Sequence, residues 1–390
     1  MNFLNAGKKL VNLIANILFQ KELIEINDVS FKTIYQVAKF HSLENWLYYA
    51  FTNQLINIEK ESIIKINKDH QQAVIKAAFQ DSELELITKS FEKNGIKHLV
   101  LKGSVLKYLY PSLDMRSMAD LDILIDKKQL KSAKKIMISL GYTINRLGGN
   151  HDIYYKKPYM NIELHREMID ESYMMSKYYK NIWDKVKLIP GRNYSFQLSD
   201  DDFYVYMIAH TAKHYGHGGT GIRSLIDIWV YLLKNNSNLN WEYINNEFAI
   251  LGIDAFADNI KQLAAVWFGN ESYNEISTIM EEYIICSGTY GTTENAYISK
   301  GFIHDDETHK LKTKKWRYLL SNIFPPYRIM KKSYPMLKYF PPFLPFFWLL
   351  RIFKAIFKKN ISVKKRIQDV TNITYEDIEK MREIKEKTGM

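Results

Sequence analysis

The 390 residues are 46 % hydrophobic and 25 % charged, an ordinary folded composition with enough chain for two or three domains. A single cysteine, Cys286, excludes an internal disulfide and suits a reducing cytoplasm, and its apolar neighbours Tyr283, Ile284 and Ile285 predict a buried, inert thiol. The net charge is +11, but Thr308 to Gln368 alone holds 16 Lys and Arg with no Asp or Glu, and subtracting those 16 leaves −5 for the remainder. The mildly acidic body argues against a long nucleic acid lying across it, because phosphate binding depends on clustered cations.

Residues 1–93 read as helical from their three- and four-residue apolar spacing, and Lys8 and Lys9 interrupt any secretory signal. Gln71 to Lys93 is the clearest helix, with Asn94-Gly95 as its stop. The texture changes at Ile96. Ile96 to Leu101 has the length of a buried strand, Gly103-Ser104 turns the chain, and Val105 to Tyr110 forms a short helix closed by Pro111. Leu121 to Ile125 is a second strand. Asp126 and Gln129, at capping-box spacing, open a helix that Gly141 ends. Strands around Ile153–Tyr155 and over Met160–Leu164 are joined by the hairpin turn Lys156–Tyr159.

Helices resume at Ser199, an N-cap followed by Asp200, Asp201 and Asp202, which suit the positive end of a helix. Phe203, Met207, His210 and His214 share one face, Gly216–Gly221 reads as a flexible loop, and Ile222–Leu233 as another helix. Prolines at 325, 326, 335, 341, 342 and 345 cut the tail into short pieces before a basic amphipathic helix, Phe346–Lys359. The expected fold class is α+β. Its segments are an N-terminal helical region (1–93), an α/β core (94–195), a helical segment completing a cleft (196–300) and a basic tail (301–390).

The chemistry concentrates in the core. Asp120 and Asp122 alternate with Leu121 and Ile123, so both carboxylates share one face of a strand. Two like charges so close repel unless a cation lies between them, and an oxygen-rich pair selects Mg²⁺ or Mn²⁺. Glu163 offers a third carboxylate on a second alternating strand, with His165 on the same face to line the cleft or orient it. Gly103 lets a phosphate approach the backbone, and the Ser104 hydroxyl can hold its oxygens. Lys102 beside the turn is either solvated or a phosphate contact; Arg116 either balances the carboxylates or meets phosphate in bidentate fashion. His210 and His214, at i and i+4, have metal-ligand spacing, but they share a face with Phe203 and Met207 and so read by default as packed imidazoles, and next as a nucleotide or substrate contact. Arg223 and Asp227 read as a helix ion pair. The run His304–His309 reads as a solvated loop before a metal cluster.

These residues resemble the polymerase-β nucleotidyltransferase superfamily, whose pattern is a Gly-Ser turn, an Asp-x-Asp strand and a later carboxylate strand. Leu101-Lys102-Gly103-Ser104, Leu109-Tyr110-Pro111, Arg116, Asp120-Leu121-Asp122, Glu163-Leu164-His165, His210-x-x-x-His214 and Arg223-x-x-x-Asp227 look like one bacterial branch, the uncharacterised nucleotidyltransferases, over roughly residues 35–350. The spacer from Ser104 to Asp120 is slightly longer than the superfamily's common one. The resemblance implies a polymerase-β-type core in which Asp120, Asp122 and Glu163 are catalytic and hold Mg²⁺ or Mn²⁺. It also implies nucleotide contacts from Lys102, Gly103, Ser104, Arg116, His165, His210, Lys213 and His214. An NTP, ATP by default, would donate NMP to a small molecule, glycan precursor or protein and release pyrophosphate. A second reading is a catalytically weak nucleotide-binding scaffold held at the inner membrane surface by its basic tail, whose aromatics either meet anionic lipid or pack on the body.

Overall fold

The computed structural model describes residues 2–23, 29–303, 310–357 and 361–390, and the run His304–His309 lies outside them. Four helices open the chain: α1 (Asn2–Phe19), α2 (Phe31–Phe40), α3 (Trp46–Thr52) and α4 (Lys60–Lys93). The mixed segment follows with β1 (His98–Val100), α5 (Gly103–Leu106), β2 (Leu121–Ile125), α6 (Leu130–Ser139), β3 (Thr143–Arg146), β4 (His151–Lys156), β5 (Met160–His165), β6 (Lys187–Leu188) and β7 (Ser195–Gln197). The seven strands make one mixed sheet in the order β3-β4-β5-β2-β1-β7-β6. The class is therefore α+β, as expected.

The period-2 pattern decides which way each side of the sheet faces. Leu121, Ile123 and Ile125 of β2, Ile162 and Leu164 of β5 and Tyr154 of β4 point to one side. There they pack on Leu84, Ile87 and Phe91 of α4 and on Ala133 and Met137 of α6. The other side of β2 carries Asp122 and Leu124, and Leu124 joins the main core with Leu99 of β1.

The chain continues through α7 (Asp200–His217), α8 (Ile222–Asn235), α9 (Trp241–Leu251), α10 (Asp254–Phe268), α11 (Glu275–Ser287) and α12 (Thr293–Gly301). It ends in α13 (Leu311–Ile323), α14 (Tyr327–Ser333), α15 (Leu344–Phe357), α16 (Ile361–Asn372) and α17 (Tyr375–Thr388). One continuous core joins Leu10 and Ile14 of α1 and Trp46 and Leu47 of α3 to Ile208 of α7, Ile226 of α8, Ile260 of α10 and Ile284 of α11. Far ends of the sequence meet there, since Ile378, Met381 and Ile384 of α17 belong to the same core.

Several sequence readings need correcting. Asp126 and Gln129 form no capping box: Asp126 accepts from the Lys128 N–H at 2.9 Å, while Gln129 accepts from Lys97 N–H and donates to the Gly95 carbonyl, both at 2.7 Å, which ties its helix to the start of β1. The expected loop 216–221 is a tight turn, because α7 runs to His217 and a Cβ on Gly219 (φ +109°) would lie 2.2 Å from Ser287 Oγ. Cys286 is exposed, because it falls on the outer side of α11 while Ile284 and Ile285 face inward. Arg223 and Asp227 are not ion-paired with each other, as described below. By contrast, the Ser199 cap is present, its hydroxyl accepting from Asp202 N–H at 3.1 Å, and the prolines break the tail as expected, with α15 beginning one residue before Pro345.

Candidate functional site

Strand β2 runs parallel to β5 with Asp122 opposite Glu163, and β4 runs antiparallel to β5 with His151 opposite His165. Alternation therefore lines up Asp122, Glu163, His165 and His151 on one side of three adjacent strands. His165 Nε2 donates to Asp122 Oδ1 at 2.6 Å and lies 3.3 Å from Glu163 Oε2, while His151 Nε2 lies 3.4 Å from the same oxygen. The second oxygen of Asp122 faces Lys102 Nζ at 3.0 Å.

Lys102 reaches that oxygen from a left-handed backbone, φ +51° and ψ −125°, a conformation that strains a residue with a side chain. The turn lets α5 start at Gly103, where a Cβ would lie 2.9 Å from Met118 Sδ and 3.0 Å from Arg116 Nη1. Only glycine fits unless those side chains shift. Ser104 is buried with its hydroxyl 4.0 Å from Met118 Sδ, so it does not wall the cavity that Lys102 and Gly103 line.

Helix α7 crosses above this face. Phe203, Tyr206, Met207, His210, Lys213 and His214, at helical spacing, roof a cavity of about 390 Å³ whose floor holds Asp120, Asp122, Glu163 and His165. The walls include Arg116, Arg223, Asp227 and Tyr290. Arg116 is locked by a bidentate pair to Asp227, at 2.7 and 2.8 Å, and Tyr110 donates to the same carboxylate at 2.6 Å. Arg223 instead donates to the Ser117 carbonyl at 2.7 Å. The N-terminal helices brace this loop from behind: Asn45 and Tyr49 donate to Asp114, and Trp46 donates to the Met115 carbonyl.

The electrostatics separate the carboxylates. Burial raises the Asp122 carboxyl, but Lys102 and His165 overcome it and hold the group far below the ordinary range. Asp120 goes the other way, pushed up by burial and by the negative charge of Asp122. Glu163 is opposed by burial yet ends lowered by His165 and His151, and His165 is raised by its two carboxylate partners against its own burial. In the roof, burial and the charge of Lys102 bring Lys213 down to about 8. Burial and Lys213 bring His214 down to about 3, leaving it neutral. His214 and His210 face each other, Nε2 to Nε2, at 3.2 Å.

Every sequence-selected residue except Ser104 thus borders one cavity. Among the described residues, the tightest set of metal-capable atoms is His151, Glu163 and His165, all within 4.8 Å of one another, rather than Asp120, Asp122 and Glu163. Lys102 and His165 lie against the two Asp122 oxygens. His151 and Tyr206 were absent from the sequence reading. Beginning the fourth-from-last strand at His151 instead of Ile153 would have found the first, and counting three residues past Phe203 would have found the second.

Residues 27–269 match the protein family described as "Uncharacterised nucleotidyltransferase". The match covers more than half of the chain and includes every residue of the cavity floor and roof named above, so the chain belongs to this family of nucleotidyltransferases. It stops before α11 and the basic tail. No curated protein and no solved structure matches the chain.

Proposed function

We propose that this chain transfers a nucleoside monophosphate, AMP by default, from a nucleoside triphosphate to an acceptor hydroxyl or phosphate, releasing pyrophosphate. The observation that carries the reading is the register that sets Asp122 beside Glu163 on adjacent parallel strands, open to one basic-walled cavity. The polymerase-β type of core is part of the proposal, supported by this strand pair and the turn at Gly103.

A divalent cation fits the donors. Asp120 is held up by burial and by the negative charge of Asp122, the second of which a cation relieves, and oxygen ligands suit Mg²⁺ or Mn²⁺. Asp120, Asp122 and Glu163 would hold it once Lys102 and His165 release the Asp122 oxygens they now face, and when bound it would neutralise charge on the transferring phosphate. The chain's own groups do the rest. Gly103 admits the phosphates to the backbone, and Lys102, Lys213 and Arg223 supply cations along the cavity wall. Arg116, held by Asp227, braces the turn at Gly103. Glu163 takes the proton of the acceptor hydroxyl as that oxygen bonds to the α-phosphorus and the bond to the β-phosphate oxygen breaks. His151 and His165 orient that carboxylate.

Labelling decides the reaction type. With ATP carrying label at the α-phosphate, the product retains it and all γ-label leaves as pyrophosphate. Retention of the γ-label on the acceptor would instead make the chain a kinase. Loss of α-label transfer in a folded Asp122→Asn variant is required by the proposal, and unchanged transfer would sink it.

A further inference from the structure

We infer that the Pro-interrupted tail, residues 327–357, is a docking surface for anionic phospholipid, with α15 lying in the plane of the bilayer interface. The inference is independent of the nucleotidyl chemistry.

One side of α15 is spoken for. Phe347 is buried with Met330 and Leu337, Leu344 and Leu350 pack beside them, and Trp348 Nε1 donates to the Pro325 carbonyl at 2.9 Å. These residues form an apolar cluster of their own, separate from the main core. Another side presents Phe346, Leu349 and Phe353, continuing Phe343 of the turn just before the helix; the four, in chain order from Phe343, are 51, 54, 55 and 56 % exposed and spaced three, three and four residues apart. Tyr339 and Phe340, at 79 and 56 %, prolong the stripe toward the preceding turn. Single exposed apolar residues need no explanation, but a contiguous aromatic stripe marks an interaction site.

Charge identifies the occupant. Thr308 to Gln368 holds 16 basic and no acidic residues. Arg328, Lys338 and Lys354 are exposed, and among the described residues none of them pairs with a carboxylate. A second copy would set cation against cation, whereas an anionic lipid surface supplies both the counter-charge and the apolar layer. No helix among the described residues is long and apolar enough to cross a membrane, so α15 lies on the surface rather than through it. Leu319 of α13, before the module, and Val370 of α16, after it, both belong to the main core.

The full chain should be sedimented with vesicles of phosphatidylcholine alone and of phosphatidylcholine with one third phosphatidylglycerol, at low and high salt. The expected result is binding to the anionic vesicles at least about tenfold tighter than to the neutral ones, and weakened by salt. The Phe343→Ser/Phe346→Ser/Phe353→Ser variant, whose changes are all at exposed positions, should keep its thermal transition and lose at least about tenfold in affinity. Lys338→Glu/Lys354→Glu should reduce the anionic preference. No vesicle binding, equal binding to both compositions, or undiminished binding by the aromatic variant would overturn the inference. So would self-association in the ultracentrifuge that the aromatic variant abolishes while vesicles remain unbound.

Discussion

Arg116 and Asp227, 111 residues apart, form a buried bidentate ion pair that fixes α8 against the loop leading into β2. Both side chains are less than a tenth exposed, and Tyr110 shares the carboxylate. Removing one partner leaves the other charge buried without compensation, which costs more than the pair itself contributes. Asp227→Ala should therefore lower unfolding stability by about 3–5 kcal/mol in denaturant titrations. Arg116→Met/Asp227→Leu should recover much of that loss, and a double variant no more stable than Asp227→Ala would contradict the reading.

Gly103 tests the turn. An added Cβ meets Met118 Sδ at 2.9 Å and Arg116 Nη1 at 3.0 Å, so the neighbours must move. Gly103→Ala should cost about 1–3 kcal/mol and weaken nucleotide binding as well, because the side chains that must shift, Arg116 and Met118, also line the cavity. Gly148→Ala, whose Cβ would have nothing within 4 Å, is a control for space but sits at φ +99°, so its cost is conformational and should leave nucleotide affinity untouched.

His41 should make the fold acid-sensitive. Its buried ring sits 3.0 Å from the Ile285 carbonyl through Nε2, and Nδ1 accepts from the Ile222 N–H at 3.3 Å, an arrangement that needs the neutral ring. Burial lowers its pKa to about 4, against 6.5 ordinarily. The unfolded chain thus takes up the proton first as pH falls. The contribution is fully present above about 6.5 and is lost on descending toward about 4, up to roughly 3 kcal/mol. Denaturation midpoints across this window should slope with pH in the parent chain and less so in His41→Gln. Equal slopes would assign the acid sensitivity elsewhere.

Lys213 should be chemically conspicuous. With a pKa near 8, its amine is about a quarter neutral at pH 7.5, whereas an ordinary lysine is almost wholly charged. Pyridoxal phosphate followed by borohydride should label Lys213 ahead of the surface lysines, and ATP should protect it if the cavity takes the triphosphate. Labelling spread evenly over the chain would contradict both the pKa and the placement.

Much of the floor of the cavity was legible because a strand's alternation is a local rule. Asp120-Leu121-Asp122 and Ile162-Glu163-Leu164 declare their faces without reference to the rest of the chain. The roof was legible for the same reason, from the helical spacing of Phe203, Met207, His210 and His214. The partners that cross the sequence were not legible. Arg223 and Asp227 satisfy the spacing of a helix pair, yet Asp227 turns to Arg116, which only the fold brings near. Gln129 satisfies the spacing of a cap, yet the open edge of the chain before β1 competes for its amide. Strands β3, β6 and β7 were not legible: β3 and β6 are exposed and carry no apolar alternation, and β7 is only three residues long. Cys286 was misjudged because apolar neighbours along the sequence say little about which side of a helix a residue occupies.

Nucleotide binding at the Asp122 face underlies every step of the proposed transfer. Calorimetric titration of ATP, CTP, GTP and UTP with Mg²⁺ into the parent chain and into Asp120→Asn/Asp122→Asn measures it most directly. Metal-dependent binding of a nucleotide by the parent, absent from a variant that melts normally, is the predicted result. Binding that survives the double substitution, or no binding of any nucleotide by the folded parent, would contradict it.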